Sequence, residues 1–280
     1  MHKEALVSII VRTCGKPDVL KNALLSIRSQ TYPNIEVIIV EDGENISEHF
    51  LKSDFSDLNY VYHATGKRLG RTRAGNIGLS LATGVYLNFL DEDDILLENH
   101  VKLLVDTITD CSAQAAYAIA EEHQIKVKSL QPYSFQVKRK LVRYSYPFNR
   151  LLLCYMNLFP IQSVLFSRTL YEQYGGFDEN LDVLEDWDLW LRYALHTDFV
   201  HTPTISSIYY TPYRSRRKFL REKKLQQAEE HVREKHRSYT LTLNAKQIEE
   251  DMGYILNVFN KKGLFFYLKK IQNYLLYHDR

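Results

Sequence analysis

The stretch Val85-Tyr86-Leu87-Asn88-Phe89-Leu90 has the pattern of a strand and runs directly into four acids, Asp91-Glu92-Asp93-Asp94. Carboxylates held close together repel one another and resist burial, so such a cluster needs either open solvent or a compensating positive charge. A divalent cation is one source of that charge, and an Asp-x-Asp pair of hard oxygen ligands suits Mn2+ or Mg2+. Taken alone, the acids are explained equally well as a solvated run that feeds a helix from Ile95, with Asp94 as its cap. The rest of the chain decides between the two.

Residues 5–11 form a continuous apolar, β-branched run, as expected of a central strand buried on both faces. Arg12-Thr13-Cys14-Gly15 breaks the run. Pro17 then suits the first turn of a helix, and Leu20, Ala23, Leu24 and Ile27 follow at helical spacing. Residues 35–40 give a second buried strand that ends in Glu41-Asp42-Gly43, residues 59–63 a third, residues 71–82 a helix and residues 85–90 the fourth strand. Strands that alternate with helices predict an α/β fold with a mostly parallel sheet flanked by helices, whose ligands sit beyond the carboxyl ends of the strands. That rule gathers the Arg12-Thr13-Cys14 loop, the Glu41-Asp42-Gly43 loop and the four acids along one edge, as a nucleotide site requires.

Gly66-Lys67-Arg68-Leu69-Gly70-Arg71-Thr72-Arg73 offers a diphosphate small residues for close backbone approach and guanidinium groups for bidentate contact. It is not a P-loop, since no G-x-x-x-x-G-K-[ST] is present. Residues 113–120 are small and apolar enough for another core strand. From 129 to 149 the pattern loses periodicity and fills with aromatic and basic residues, which reads as a long loop serving as a binding lid or a surface clamp. Residues 163–167 resume a strand, and 168–174 form a short helix closed by Gly175-Gly176. In Leu184-Glu185-Asp186-Trp187-Asp188-Leu189-Trp190-Leu191-Arg192, both tryptophans, Leu191, Ala194 and Leu195 share one helical face and belong to the core, while Asp188 and Arg192 are spaced to pair. Residues 205–210 read as a last strand.

A chain of 280 residues, 45% hydrophobic and 25% charged, is ordinary globular protein of one large domain or one domain with an appendage. No apolar run approaches the roughly 20 residues of a spanning helix. Met1-His2-Lys3-Glu4 leads into a strand-like run and not a signal peptide, so the expected location is the cytoplasm, with the inner face of the membrane within reach. Cys14, Cys111 and Cys154 are odd in number and far apart, which argues against a disulfide framework or a zinc site. The net charge of +2 hides a basic segment: from Arg214 to Arg237 there are ten Lys or Arg against four Glu. Phosphate-bearing partners or an anionic leaflet fit such a segment; nucleic acid is not an expected partner. Beyond 214 the pattern is helical over 219–237, 245–259 and 264–277. The aromatic, amphipathic last stretch is expected to pack on the body, with a homodimer contact or a membrane surface as alternatives.

Val7-Ser8-Ile9-Ile10-Val11-Arg12-Thr13, the Ser29-Gln30-Thr31-Tyr32-Pro33-Asn34-Ile35-Glu36 signature, the acids after the fourth strand and Gly175-Gly176-Phe177-Asp178-Glu179 ahead of Glu185-Asp186 together resemble the inverting family-2 glycosyltransferases of the GT-A fold. The resemblance runs from about Leu6 to Arg214. It implies a catalytic domain over 1–214 and a helical extension over 215–280. It further implies a metal-dependent transfer of a sugar from a nucleotide-diphosphate donor, a UDP-sugar first, to a saccharide, lipid-linked or protein hydroxyl in polysaccharide or glycoconjugate synthesis. By the same resemblance Asp91 and Asp93 hold Mn2+ or Mg2+, and Asp186 is the general base with Glu185 in reserve. Arg12, Thr13, Asp42, Arg73, Asp91, Glu92 and Arg214 then meet the nucleotide sugar. The first loop departs from the family's commonest Pro-Thr-Tyr-Asn, so it offers no aromatic ring to a base. A catalytically silent relative acting through its basic helical end is the rival reading. A sugar nucleotidyltransferase lacks support, since no Gly-rich loop follows the first strand. So does a haloacid-dehalogenase-type phosphatase, whose Asp-x-Asp follows its first strand.

Overall fold

A computed structural model describes residues 4–213 and 216–261. Val7–Thr13 (β1) leads through Pro17–Arg28 (α1) to Ile35–Glu41 (β2), then through Glu48–Asp54 (α2) to Tyr60–Ala64 (β3) and through Arg71–Leu81 (α3) to Tyr86–Asp91 (β4). These four strands lie side by side, all parallel, in the order β3-β2-β1-β4. The edge strand β3 is only part-buried, whereas burial on both faces explains the composition of β1, β2 and β4: Val7, Ile9 and Val11 point to one core cluster and Ile10 to the other. The first cluster is completed by α1, and the second by Ala74 and Leu79 of α3. Gly78 lets α3 lie directly on β1, because a Cβ there would run into Ile10.

The other half of the sheet is mixed. After β4 come Ile95–Leu96 (β5), His100–Asp110 (α4), Ala115–Leu130 (β6), Tyr133–Tyr144 (β7), Arg150–Tyr155 (α5), Val164–Ser167 (β8), Arg168–Tyr174 (α6), Glu185–Ala194 (α7) and Phe199–Pro212 (β9). The order continues β4-β8-β6-β9-β5; β8 is antiparallel to both its neighbours, β9 runs parallel to β6, and β7 pairs with β6 alone. Two expectations are corrected here. No helix begins at Ile95; that residue is in β5, and Asn99 precedes α4. Asp94 is therefore not the cap of α4, and it accepts from the Tyr210 backbone N–H at 3.4 Å. The supposed loop over 129–149 is chiefly strand, the second arm of a β6–β7 hairpin, in which part-buried Tyr133, Phe135 and Val137 alternate with exposed Ser134, Gln136 and Lys138 before the exposed run Lys138-Arg139-Lys140 breaks the period.

Trp187 and Trp190 are fully buried in the core, and Asp188 pairs with Arg192 at 3.1 Å, as spacing required. Arg216–His236 (α8) and Ala245–Lys261 (α9) follow, and Val232 of α8 is buried in the same cluster as the tryptophans. The expected helix over 264–277 and the expected diphosphate contact Arg214 lie outside the described residues. Among the described residues no helix is long and apolar enough to cross a membrane.

Candidate active site

The parallel register of β1 and β4 sets Arg12 directly beside Asp91 at the carboxyl ends of both strands. The Arg12 guanidinium is only 5% exposed; its Nε donates to Asp91 Oδ1 at 2.7 Å and its Nη1 to Glu185 Oε1 at 3.0 Å. Burial opposes its charge, but Asp91 and Glu185 outweigh that and raise its pKa. Arg71, the first residue of α3, approaches the same two carboxylates, with Nη1 3.4 Å from Glu185 Oε1 and Nη2 3.9 Å from Asp91 Oδ2. Two guanidiniums thus hold two carboxylates from separate parts of the chain in one cluster. Arg12 is enclosed, whereas Arg71 is half-exposed and presents its charge to solvent.

The remaining acids have divided roles. Glu92 is 6% exposed and accepts from Thr13 Oγ1 at 2.6 Å, the Cys14 N–H at 3.0 Å and Lys16 Nζ at 2.6 Å. Although burial would raise its pKa, those donors hold it below the usual carboxylate range. Glu92 and Thr13 therefore clamp the first loop from beneath. Asp93 is exposed on the cleft wall; desolvation there, followed by the negative charges of Asp91 and Glu92, pushes its pKa up. A cation would relieve that crowding. Among the described residues no group of three or more His, Cys, Asp or Glu side chains is arranged to hold a metal ion. Mg2+ and Mn2+ commonly take only one or two protein carboxylates, with substrate phosphates and water as their other ligands, and Asp93 with Asp91 would be that pair here.

Glu185 and Asp186 open α7, and Leu184 just before them is in the left-handed region, φ 59°, an uncommon conformation for a bulky residue that turns the chain sharply into the helix. Asp186 accepts from Asn157 Nδ2 at 3.0 Å and from the Trp187 N–H at 2.8 Å. Desolvation and the neighbouring Glu185 charge outweigh these donors and push its pKa up to about 7. Arg12, Arg71, Asp91, Asp93, Glu185 and Asp186 all border one cleft of about 750 Å3. Its far side is made by Tyr209 and Tyr210 of β9 and by Lys224, Glu229 and Arg233 of α8. Arg233 lies 4.9 Å from the Tyr155 ring and donates to the Tyr155 carbonyl, so α8 is fastened along the cleft.

Asp42 lies away from this cleft, beside a second cavity of about 350 Å3 lined also by Cys14, Gly15, Gly43, Lys67 and Arg68. Its carboxylate accepts from the N–H groups of Leu69 at 2.6 Å and Gly70 at 3.1 Å, which fixes the turn that starts α3. Arg73 does not line the cleft; it pairs with Glu179 at 3.0 Å. Two residues along a helix is more than half a turn, so Arg71 and Arg73 cannot face the same way, and the register of α3 on the sheet points Arg71 inward. The sequence points to Arg73 rather than Arg71 in this stretch and gives no sign of Asn157, Tyr155 or Arg233. Only the pairing of distant segments brings these to the site, although Arg71 at the head of a helix after a Gly-rich turn carried a local hint.

A family model described as Glycosyl transferase family 2 matches residues 8–174. An uncharacterised glycosyltransferase of Rickettsia prowazekii (strain Madrid E) is 27% identical over 218 residues, 73% of this chain and 61% of that protein, so the chain spans about three fifths of that relative's length. Mannosyltransferase PcManGT from Pyrobaculum calidifontis, solved in complex with GDP-Man and Mn2+, is similar at a TM-score of 0.65 and 17% identity, covering 90% of this chain and 69% of that one. S. aureus TarS 1-349, solved in complex with UDP-GlcNAc, gives 0.61 and 16%, covering 75% of this chain and 60% of that one. At these identities the two structures speak for a shared fold alone.

Proposed function

This chain belongs to glycosyl transferase family 2, and from that premise we propose that it transfers a sugar from a nucleotide-diphosphate donor to an acceptor hydroxyl with inversion at the anomeric carbon. The observation that carries this reading is that Asp93 and Asp186, from opposite ends of the catalytic sequence, open into one cleft together with the half-exposed Arg71. The acceptor oxygen attacks the anomeric carbon on the face opposite the diphosphate, and Asp186 takes the hydroxyl proton. The bond from the anomeric carbon to the diphosphate oxygen breaks, with its electron pair leaving on the diphosphate. Arg71 meets the charge that builds there. Arg12 acts through its partners, holding Asp91 and Glu185 in place. The base and ribose would lie in the cavity beside Asp42, which Cys14, Gly43, Lys67 and Arg68 also line.

A divalent cation held by Asp93 and Asp91 would neutralise the leaving diphosphate as a Lewis acid. Mn2+ beside GDP-Man in one structural neighbour and UDP-GlcNAc in another make UDP- and GDP-sugars with Mn2+ or Mg2+ the first combinations to try. Acceptors of saccharide, lipid-linked or protein type, in polysaccharide or glycoconjugate synthesis, are consistent with the open cleft.

Thermal denaturation against a panel of nucleotide sugars tests the donor and metal parts together. At about a hundredfold excess over Kd a cognate donor adds about 2.7 kcal/mol, a Tm rise of roughly 5–10 °C. That rise is expected to need Mn2+ or Mg2+, to vanish with EDTA and to be largely absent in Asp93→Ala. A donor that stabilises equally well in EDTA would remove the metal. Stabilisation without turnover by any acceptor class would indicate a silent binding protein.

A further inference from the structure

The pairing of β6 with β9 ends at Ile125 and Pro212, whereas its pairing with β7 continues to Leu130 and Tyr133. Among the described residues the distal part of the hairpin is therefore a two-stranded ribbon standing out from the sheet. Its inner side is fixed to the rim of the cleft, with the Phe135 ring 5.0 Å from that of Tyr210. The ribbon as a whole is one-sided in charge: residues 126–143 contain six Lys or Arg and no Asp or Glu. Lys140 and Arg143 are matched at the base of the hairpin by Glu121 and Glu122. Lys126, Lys128, Lys138 and Arg139 form no ion pair among the described residues and are all exposed. Exposed apolar side chains accompany them: Leu130 at the tip at 75% and Val127 at 45%, opposite Tyr133 and Phe135 in the register, with Val142 at 46% nearer the base.

Lysines on a ribbon edge can serve simply to deter pairing with another chain. That role calls neither for the complete absence of acids nor for a bare leucine at the tip. A soluble polyanion would account for the cations and leave Leu130 and Val127 in water. The headgroup region of a bilayer takes both, since cations attract the anionic leaflet while apolar side chains enter the acyl boundary.

We propose that the β6–β7 hairpin docks this protein on an anionic lipid surface, with Lys126, Lys128, Lys138 and Arg139 on the headgroups and Leu130 inserted. This surface is distinct from the C-terminal helices, for which the sequence offers a membrane surface only as an alternative to packing on the body. Docking holds the mouth of the cleft against the leaflet, which, on the transferase reading above, favours a lipid-linked acceptor.

The test is cosedimentation of the full chain with phosphatidylcholine vesicles with and without phosphatidylglycerol, which requires no turnover and so is independent of the transferase reading. The chain is expected to bind only the anionic vesicles, progressively less as salt rises. Replacing the four unpaired cations with Gln is expected to weaken binding by about fivefold per charge, a hundredfold or more together. Leu130→Asp is expected to weaken it at every salt concentration. Both variants should keep the wild-type melting temperature and donor response, since all five side chains are exposed. Undiminished binding by the quadruple variant would overturn the proposal. So would equal binding to neutral vesicles, or tight binding to dextran sulfate with none to anionic vesicles, the last assigning the ribbon to a polyanion.

Discussion

Asp186 is the residue on which the proposed chemistry turns, and its surroundings determine when it can act. Burial and Glu185 raise its pKa to about 7 against the partial support of Asn157 and the Trp187 N–H. A base must be deprotonated, so kcat/KM should rise with pH through an acid limb near 7 and level off above it. Asn157→Ala removes a donor to the carboxylate form and should move that limb to higher pH, a displacement that a merely structural asparagine would not produce. Linkage gives the same residue a second signature: the fold holds its proton more tightly than the unfolded chain does, so its contribution to stability falls as pH rises from near 3.8 through about 7. The Glu185-Asp186 pair was singled out through the family resemblance and its Gly175-Gly176-Phe177-Asp178 lead-in, while the helix that carries it could be placed from tryptophans that had to be core. Asn157 was not, since nothing local to its segment indicates that it meets a carboxylate 29 residues away. Arg71 and Arg73 show the same limit: the composition of the Gly-rich turn announced a cationic residue, but the rotation of α3 on β1 decided which one.

At the level of elements, α7 is tied to α8 through a single buried acid. Asp188 is fully buried and faces Arg192 at 3.1 Å, Lys235 at 2.6 Å and His236 at 2.8 Å. Burial alone would raise its pKa, yet hydrogen bonds from His236 and Lys235 with the charge of Arg192 bring it down to about 2. A depressed carboxylate pKa contributes stability that is present above the ordinary value of 3.8 and lost as pH falls towards 2. That contribution is about 2 kcal/mol. Asp188→Ala strands the cations and should cost about 3–5 kcal/mol at neutral pH, read as a lower Tm, and flatten the acid side of the stability profile. An unchanged acid midpoint would show that the cluster does not anchor α8. The pairing of Asp188 with Arg192 could be read from i, i+4 spacing, whereas its partners on α8 could not, being 47 and 48 residues distant. The β6–β7 hairpin escaped sequence reasoning for a related reason. Its alternation of Tyr133, Phe135 and Val137 with Ser134, Gln136 and Lys138 is short, and it is broken by the exposed run Lys138-Arg139-Lys140, where the register with β6 shifts.

Over the whole molecule, the parallel half of the sheet followed from its apolar runs, because strands buried on both faces need no partner to be recognised. The mixed half did not: β8 joins β4 to β6 by antiparallel pairs spanning dozens of residues, and β9 continues well beyond the apolar stretch that marked it. The parallel side of the sheet was therefore readable and the mixed side was not. It is on that less readable side that β9 and α8 complete the cleft opposite the acids. The central claim joins the halves: one cleft delivers a donor from the end of β4 to a base at the head of α7. The most direct measurement is sugar transfer by Asp186→Asn beside its donor-induced thermal stabilisation. Transfer should fall by about 10²–10⁴-fold while stabilisation by the donor stays at the wild-type level. Wild-type transfer by Asp186→Asn would contradict the account.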